Sequence, residues 1–270
     1  MKAIPRWIIL LTIFAMLLFP IYLMVMNSLS PVRGFLRNPP RLLPYAWTLD
    51  NYRRALSLPM LARWIANTAI LVGIIVPLGV VINGAAAYAF CFAKMRWLQV
   101  VFWLFMTPIF VTRYVLLISQ IRIVSIVGLG GLLAVASMSL FWASGIFLFR
   151  NYFRAIPHEI MESARMDGAG EWRTLMQVVL PMSLPMVGMA IVFLGMAALG
   201  DYVWQMLNLQ TMSSRTYLVG LMATTIDVTA AKNIGYDLTI GTLTFLPYLI
   251  LFAFSSRYFI GGITGGAVKE

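Results

Sequence analysis

The feature that most constrains this chain is its series of long segments with no charged side chain. Trp7–Met26, Thr68–Ala93, Trp97–Thr112, Ile123–Phe149 and Leu238–Ser256 are uncharged throughout, and Leu184–Leu207 carries only Asp201. A helix crossing a bilayer needs about 20 mainly apolar residues. In hydrocarbon every backbone polar group must be satisfied within the segment, which selects helices for such runs. The expected architecture is therefore an all-α membrane protein with six transmembrane helices. The first run follows Lys2 and Arg6. Pro20-Ile21-Tyr22 offers no small-residue cleavage site, so the run is expected to be a retained span rather than a signal peptide.

Composition excludes the main soluble alternatives. The 270 residues are 61% apolar and 11% charged, against about 45–50% and about 25% in ordinary globular domains. A chain of this size cannot enclose so much apolar surface in one core, which argues against a soluble enzyme or a free nucleic-acid binder. Its net charge of +11 suits anionic lipid headgroups instead. One cysteine, Cys91, excludes an intrachain disulfide, and one histidine, His158, leaves no pair for a metal site. No phosphate-binding P-loop is present.

Six spans put both termini on one side, but charge does not say which. With the N-terminus inside, ten Lys and Arg fall on each side, and six of the outer ten (Arg33, Arg37, Arg41, Arg53, Arg54, Arg63) crowd one loop. The positive-inside rule therefore returns a tie. That first outer loop contains Pro31, Pro39, Pro40 and Pro44, then Thr48 and helical spacing of Leu49, Tyr52 and Leu56. Thr48 is the expected N-cap of a short surface helix. Gln210–Asp237 is a second polar loop, expected on the same face.

The loop between the fourth and fifth spans has a different character. Pro157 suits a first helical turn, and Glu159 and Glu162 suit its positive end. Ile160, Met161 and Ala164 form an apolar stripe. Gly168 can take the left-handed conformation that ends a helix, and either Asp167 or Gly170 can help start the next. That second helix would carry Trp172, Leu175, Met176 and Val179 to Leu180-Pro181. Four of the nine acidic residues (Glu159, Glu162, Asp167, Glu171) lie in this loop. Physics alone leaves two readings, an amphipathic hairpin at headgroup level or a docking element for a soluble partner.

At this point the sequence resembles the membrane subunits of binding-protein-dependent ABC importers. Their cytoplasmic loop reads Glu-Ala-Ala, three residues, Gly, about nine residues, then Ile-x-Leu-Pro. Here Glu162-Ser163-Ala164, Gly168 and Val178-Val179-Leu180-Pro181 match in order and spacing, with Ser163 in place of the middle Ala. Asp167-Gly168-Ala169 resembles the sugar-transporting branch. Trp47-Thr48-Leu49-Asp50-Asn51-Tyr52 and the end of the chain, from Arg257-Tyr258-Phe259 to Lys269, resemble the maltose-transport-type second permease subunit. Gly200-Asp201-Tyr202-Val203-Trp204 stands where many relatives have Trp-Asn-Asp-Phe, and Leu116–Leu133 lacks their usual Asn-Thr.

The resemblance implies a type I ABC importer permease fold with both termini cytoplasmic. Residues 1–66 would form the first helix and outer loop, 67–260 the five-helix core with its coupling loop at 150–183, and 261–270 a cytoplasmic tail. Glu162, Ser163, Ala164, Asp167, Gly168, Leu180 and Pro181 would couple this subunit to a separate ATPase. The chain would not itself be an enzyme and would bind no cofactor, ATP and Mg belonging to the ATPase dimer. Its other partners would be a second permease subunit, an extracytoplasmic solute-binding protein, a sugar substrate and the lipid of the bacterial plasma membrane, with no nucleic acid.

Residues on the substrate path are expected among rare polar groups within the spans. Asp201, Gln205 and Asn208 would fall within roughly 60° on one helical face, with Asp201 near the outer interface either as a cap beside Trp204 or as a hydrogen-bonding wall. Asn83, mid-span, is a second candidate, with a helix–helix hydrogen bond as its other role. The same architecture could import a polyamine, an opine or a phosphorylated polyol. A secondary carrier, a channel or a membrane enzyme would require paired carboxylates, internal repeats or clustered His, Asp and Glu inside the spans, and the sequence has none.

Overall fold

The computed structural model describes residues 3–31, 42–44, 46–93, 95–225 and 234–267, with side chains described for residues 7–255 of these. Arg33, Arg37, Arg41, Pro39, Pro40, Lys94 and Lys232 lie outside the described residues, as do Lys2 and Lys269. So do the side chains of the C-terminal motif from Arg257. Among the described residues every regular element is helical. In chain order these are α1 (Ala3–Ser28), α2 (Asp50–Leu56), α3 (Leu61–Phe92), α4 (Trp97–Met106), α5 (Arg113–Val127), α6 (Gly131–Ser139) and α7 (Ala143–Phe153). They continue with α8 (His158–Met166), α9 (Glu171–Thr174), α10 (Leu180–Met182), α11 (Leu184–Gly200), α12 (Tyr202–Asn208), α13 (Tyr217–Ala223) and α14 (Ile234–Ala267).

Among the described residues, three helices are long and apolar enough to cross a membrane alone, at Trp7–Ser28, Leu61–Phe92 and Ile234–Ser255. Three bent pairs bring the number to six if each pair is one span. Trp97–Phe110 and Arg113–Val127 meet at 114°, Gly131–Ser139 and Ala143–Phe153 at 43°, and Glu171–Met182 and Leu184–Gly200 at 90°. Two expected boundaries therefore move. The run Ile123–Phe149 is not one helix, because Ile123–Val127 belongs to α5, which Gly128 ends at φ 74. The fifth span stops at Gly200 rather than Leu207, because Asp201 leaves the helix and caps α12. Thr48 likewise sits one residue before the cap of α2; its hydroxyl accepts the Asp50 N–H at 3.2 Å and donates to the Asp50 carboxylate at 2.8 Å.

The helices fall into two compact units, one comprising Met1–Ile65 with Tyr217–Pro247, the other Ala66–Thr216 with Tyr248–Glu270. In the first, Ala55, Leu61, Trp64, Leu221, Tyr236, Ile240 and Leu243 form the core. Its polar joint is Asn51, whose amide donates to the Ser28 and Ser30 carbonyls, both at 3.1 Å. Gly220 packs so closely on Trp64 that a Cβ there would lie 2.2 Å from the indole. In the second unit the core runs from Leu71 and Ile75 on α3 to Phe149, Leu194 and Trp204. Outward apolar side chains such as Trp7, Phe14, Ile118 and Phe254 are at least 60% exposed, as expected of surfaces that meet lipid or protein rather than water.

Candidate functional site

The loop between α7 and α11 folds as two short helices joined by a tight turn. Pro157 occupies the cap position and α8 begins at His158, one residue later than a first-turn proline implies. Helix α8 ends in a Schellman turn. The Ala169 N–H donates to the Ala164 carbonyl and the Gly168 N–H to the Arg165 carbonyl, both at 3.0 Å. Gly168 adopts φ 75, and a Cβ there would meet no atom within 4 Å. Conformation rather than space therefore demands glycine at this turn. Gly170 then caps α9.

The two faces of the hairpin divide as amphipathic helices should. Met161 and Ala164 are buried and Ile160 is half-buried, while Glu159, Glu162, Ser163, Met166 and Asp167 are exposed. Leu175 and Val179 turn inward, but Trp172 and Met176 are exposed, a departure from the expected stripe. Its cause is a wide turn of π-helical geometry at Leu175–Val179, which shifts the register after only one turn of α9. Leu180 is buried, Pro181 exposed, and the chain bends 90° into α11. A shallow groove of about 180 Å³ lies beside Ala164, Asp167, Ala169, Arg173, Gln177 and Val178.

Glu171 ties this hairpin to the bundle, a role that no sequence pattern indicated. The Tyr88 hydroxyl of α3 donates to its Oε2, and Arg165 donates to its Oε1 at 3.2 Å.

Each of the expected path residues is engaged by partners within the protein. Asn83 is fully buried, donating to the Gly79 and Leu140 carbonyls at 2.6 and 2.8 Å and accepting the Trp142 N–H at 2.9 Å. Gln205, also fully buried, donates to the Ala198 carbonyl at 2.7 Å and accepts the Thr216 hydroxyl at 2.5 Å. Asn208 donates to the Trp204 carbonyl at 2.9 Å. Asp201 accepts the Trp204 N–H at 3.4 Å and pairs with Arg113 at 2.5 Å. The structure thus joins Asp201 to Arg113 of α5, while its backbone carbonyl accepts the Gln205 N–H at 3.0 Å at the start of α12.

A cavity of about 280 Å³ opens where α5, the α6–α7 break and α11 meet. Arg113, Gln120, Ser139 and Ser144 give it polar groups, and Trp142 and Phe193, stacked at 5.2 Å between centroids, give it an aromatic wall. The Gln120 Oε1 is enclosed and has no hydrogen-bond partner. Among the described residues no group of three or more His, Cys, Asp and Glu could hold a metal ion.

No model of a known protein family matches the chain. It is 26% identical over 258 residues to the inner membrane ABC transporter permease protein YcjP of Escherichia coli (strain K12), covering 93% of this chain and 91% of that one. It is 25% identical to the sn-glycerol-3-phosphate transport system permease protein UgpE of Brucella suis biovar 1 (strain 1330), with 91% and 90% covered. It is 26% identical to the arabinooligosaccharides transport system permease protein AraQ of Halalkalibacterium halodurans, with 93% and 91% covered. A chain from the crystal structure of a bacterial ABC transporter involved in import of the acidic polysaccharide alginate shares the fold, with a TM-score of 0.80, 21% identity, and 95% and 96% covered. Across nine-tenths of its length the chain is thus similar to permease subunits of ABC transporters, it shares the fold of an ABC importer chain, and it is a multi-pass protein of the plasma membrane that is not itself an enzyme.

Proposed function

We propose that this subunit forms half of the membrane path of an ATP-driven sugar importer and docks through residues 158–183 onto a separate ATPase dimer. The observation that carries the docking is the exposed face of Glu162, Ser163, Met166 and Asp167 on a helix whose opposite face is anchored by Met161 and Ala164. Met166 is 87% exposed among carboxylates. That surface offers an apolar knob with a charged rim, the form of a buried contact with a polar surround. In this reading the hairpin and both termini face the cytoplasm, and ATP and Mg are held by the ATPase. A second permease subunit completes the path, and an extracytoplasmic solute-binding protein delivers the substrate.

A sugar fits the cavity better than a phosphorylated polyol does. Arg113 is already paired with Asp201, so the cavity offers no unneutralised cation to a phosphate. What it offers is an aromatic wall and the unpartnered Gln120 acceptor, which suit a ring with an apolar face and hydroxyl donors. The relative named for sn-glycerol-3-phosphate keeps the phosphorylated polyol as the second reading. In the reconstituted complex, Ser163→Cys should crosslink to the ATPase; labelling of that thiol from the outside alone would overturn the orientation. ATP-dependent uptake of labelled neutral sugars, competed by neither phosphate nor sn-glycerol 3-phosphate, is the expected transport result.

A further inference from the structure

We infer that the Tyr88–Glu171 contact is the tether through which the α8–α9 hairpin moves α3, making Glu171 a positioning residue for coupling although it lies outside the loop signature. The inference rests on the docking role proposed for the hairpin. Covalent continuity already links the hairpin to α7 and α11, but α3 is remote in sequence, and Tyr88 and Glu171 are 83 residues apart. Tyr88 is 8% exposed and packs on Phe92 at 5.0 Å between ring centroids. Its hydroxyl donates to one carboxylate oxygen of Glu171 while Arg165 holds the other. One carboxylate therefore gathers α3, α8 and α9.

The two halves of this junction differ in strength. Arg165 and Glu171 have side chains 47% and 64% exposed, where an ion pair contributes little. The tyrosine is buried but for 8% of its surface, and a bond from its hydroxyl to a carboxylate is the stronger link. From Tyr88, α3 rises about 7.5 Å to Asn83 at 1.5 Å per residue. Asn83 grips both sides of the break between α6 and α7, through the Leu140 carbonyl and the Trp142 N–H. Two residues beyond Tyr88, at the same end of α3, Arg150 of α7 donates to the Phe90 carbonyl at 3.1 Å and lies 4.1 Å over the Phe102 ring. A hairpin pulled by its ATPase would thus displace α3 at Tyr88 and deliver that displacement to the bent segment at the cavity wall. Coupling of this kind travels along rigid elements to a joint able to take a second arrangement.

The test uses the assembled importer carrying Cys91→Ala and Ser144→Cys, Ser144 being on the cavity wall. Labelling by N-ethylmaleimide is timed with and without ATP and Mg. With the tether intact the rate changes on adding ATP. Glu171→Gln, whose amide oxygen accepts the same hydroxyl, retains that change, as does Arg165→Ala. Glu171→Ala and Tyr88→Phe lose it. A full ATP response in Tyr88→Phe overturns the tether, and so does an absent response in the parent. Parallel preparations with Ser163→Cys separate the two ideas: crosslinking to the ATPase with an unaltered response in the tether variants overturns the tether alone, whereas no crosslinking in any preparation overturns the docking role beneath it.

Discussion

The Asn83 side chain accepts the Trp142 N–H at 2.9 Å and donates to the Leu140 carbonyl at 2.8 Å, so one buried amide occupies both sides of a broken span. The break between α6 and α7 frees backbone groups that lipid cannot satisfy. Asn83→Leu leaves both unpaired, at about 1–3 kcal/mol for each buried group. The purified subunit complex should therefore melt at lower temperature. Asn83→Asp should fare no better, because a carboxylate cannot donate to Leu140. Unchanged melting in Asn83→Leu would mean the break needs no staple.

Gly168 sits at φ 75 in open space, whereas Gly170 sits at φ −69, also with nothing within 4 Å of a Cβ. The left-handed conformation costs a side chain about 1–2 kcal/mol. Gly168→Ala should loosen the hairpin and weaken Ser163→Cys crosslinking to the ATPase, Gly168→Asn should do so less, and Gly170→Ala should leave it unchanged. Equal effects at the two glycines would remove conformation as the cause.

Asp201 has two tasks, capping α12 at Trp204 and pairing with Arg113. Asp201→Asn preserves an acceptor for the Trp204 N–H but leaves Arg113 without its counter-charge, and truncating one partner of a partly enclosed pair is the costly change. Uptake in proteoliposomes should fall in Asp201→Asn and recover when Arg113→Gln is added. A double-mutant cycle with no interaction energy would show that the cap, not the charge, matters.

Much of this molecule was legible because hydrocarbon excludes charge, which makes an uncharged run a span. The same rule is blind to breaks. Gly128, Leu140 and Asp201 interrupt helices whose hydropathy never falters, and the buried amides of Asn83 and Gln205 serve the freed backbone. From sequence, a rare polar residue in a span looks the same whether it faces a solute or a carbonyl. The hairpin was readable down to Gly168, because amphipathic spacing and a left-handed cap are local. The Tyr88–Glu171 bond was not, since nothing in either neighbourhood points to the other. The cavity also escaped, its wall being drawn from α5, α7 and α11 through ordinary residues such as Gln120 and Trp142.

Gly145 bears directly on that cavity. It lies beneath the Trp142 indole, and a Cβ there would fall 1.9 Å from the ring Cε3. No packed pair tolerates that approach, so Gly145→Ala must turn the indole away. The Trp142–Phe193 stack at 5.2 Å would open and the aromatic wall would change shape. Overpacking of this kind typically costs about 1–3 kcal/mol, and the subunit should still assemble with its partners. Uptake, however, should drop well beyond the loss of protein. Adding Trp142→Phe makes room for the new methyl and keeps an aromatic ring, so it should restore part of the transport. Wild-type uptake in Gly145→Ala alone would show that the position of the Trp142 ring does not shape the path.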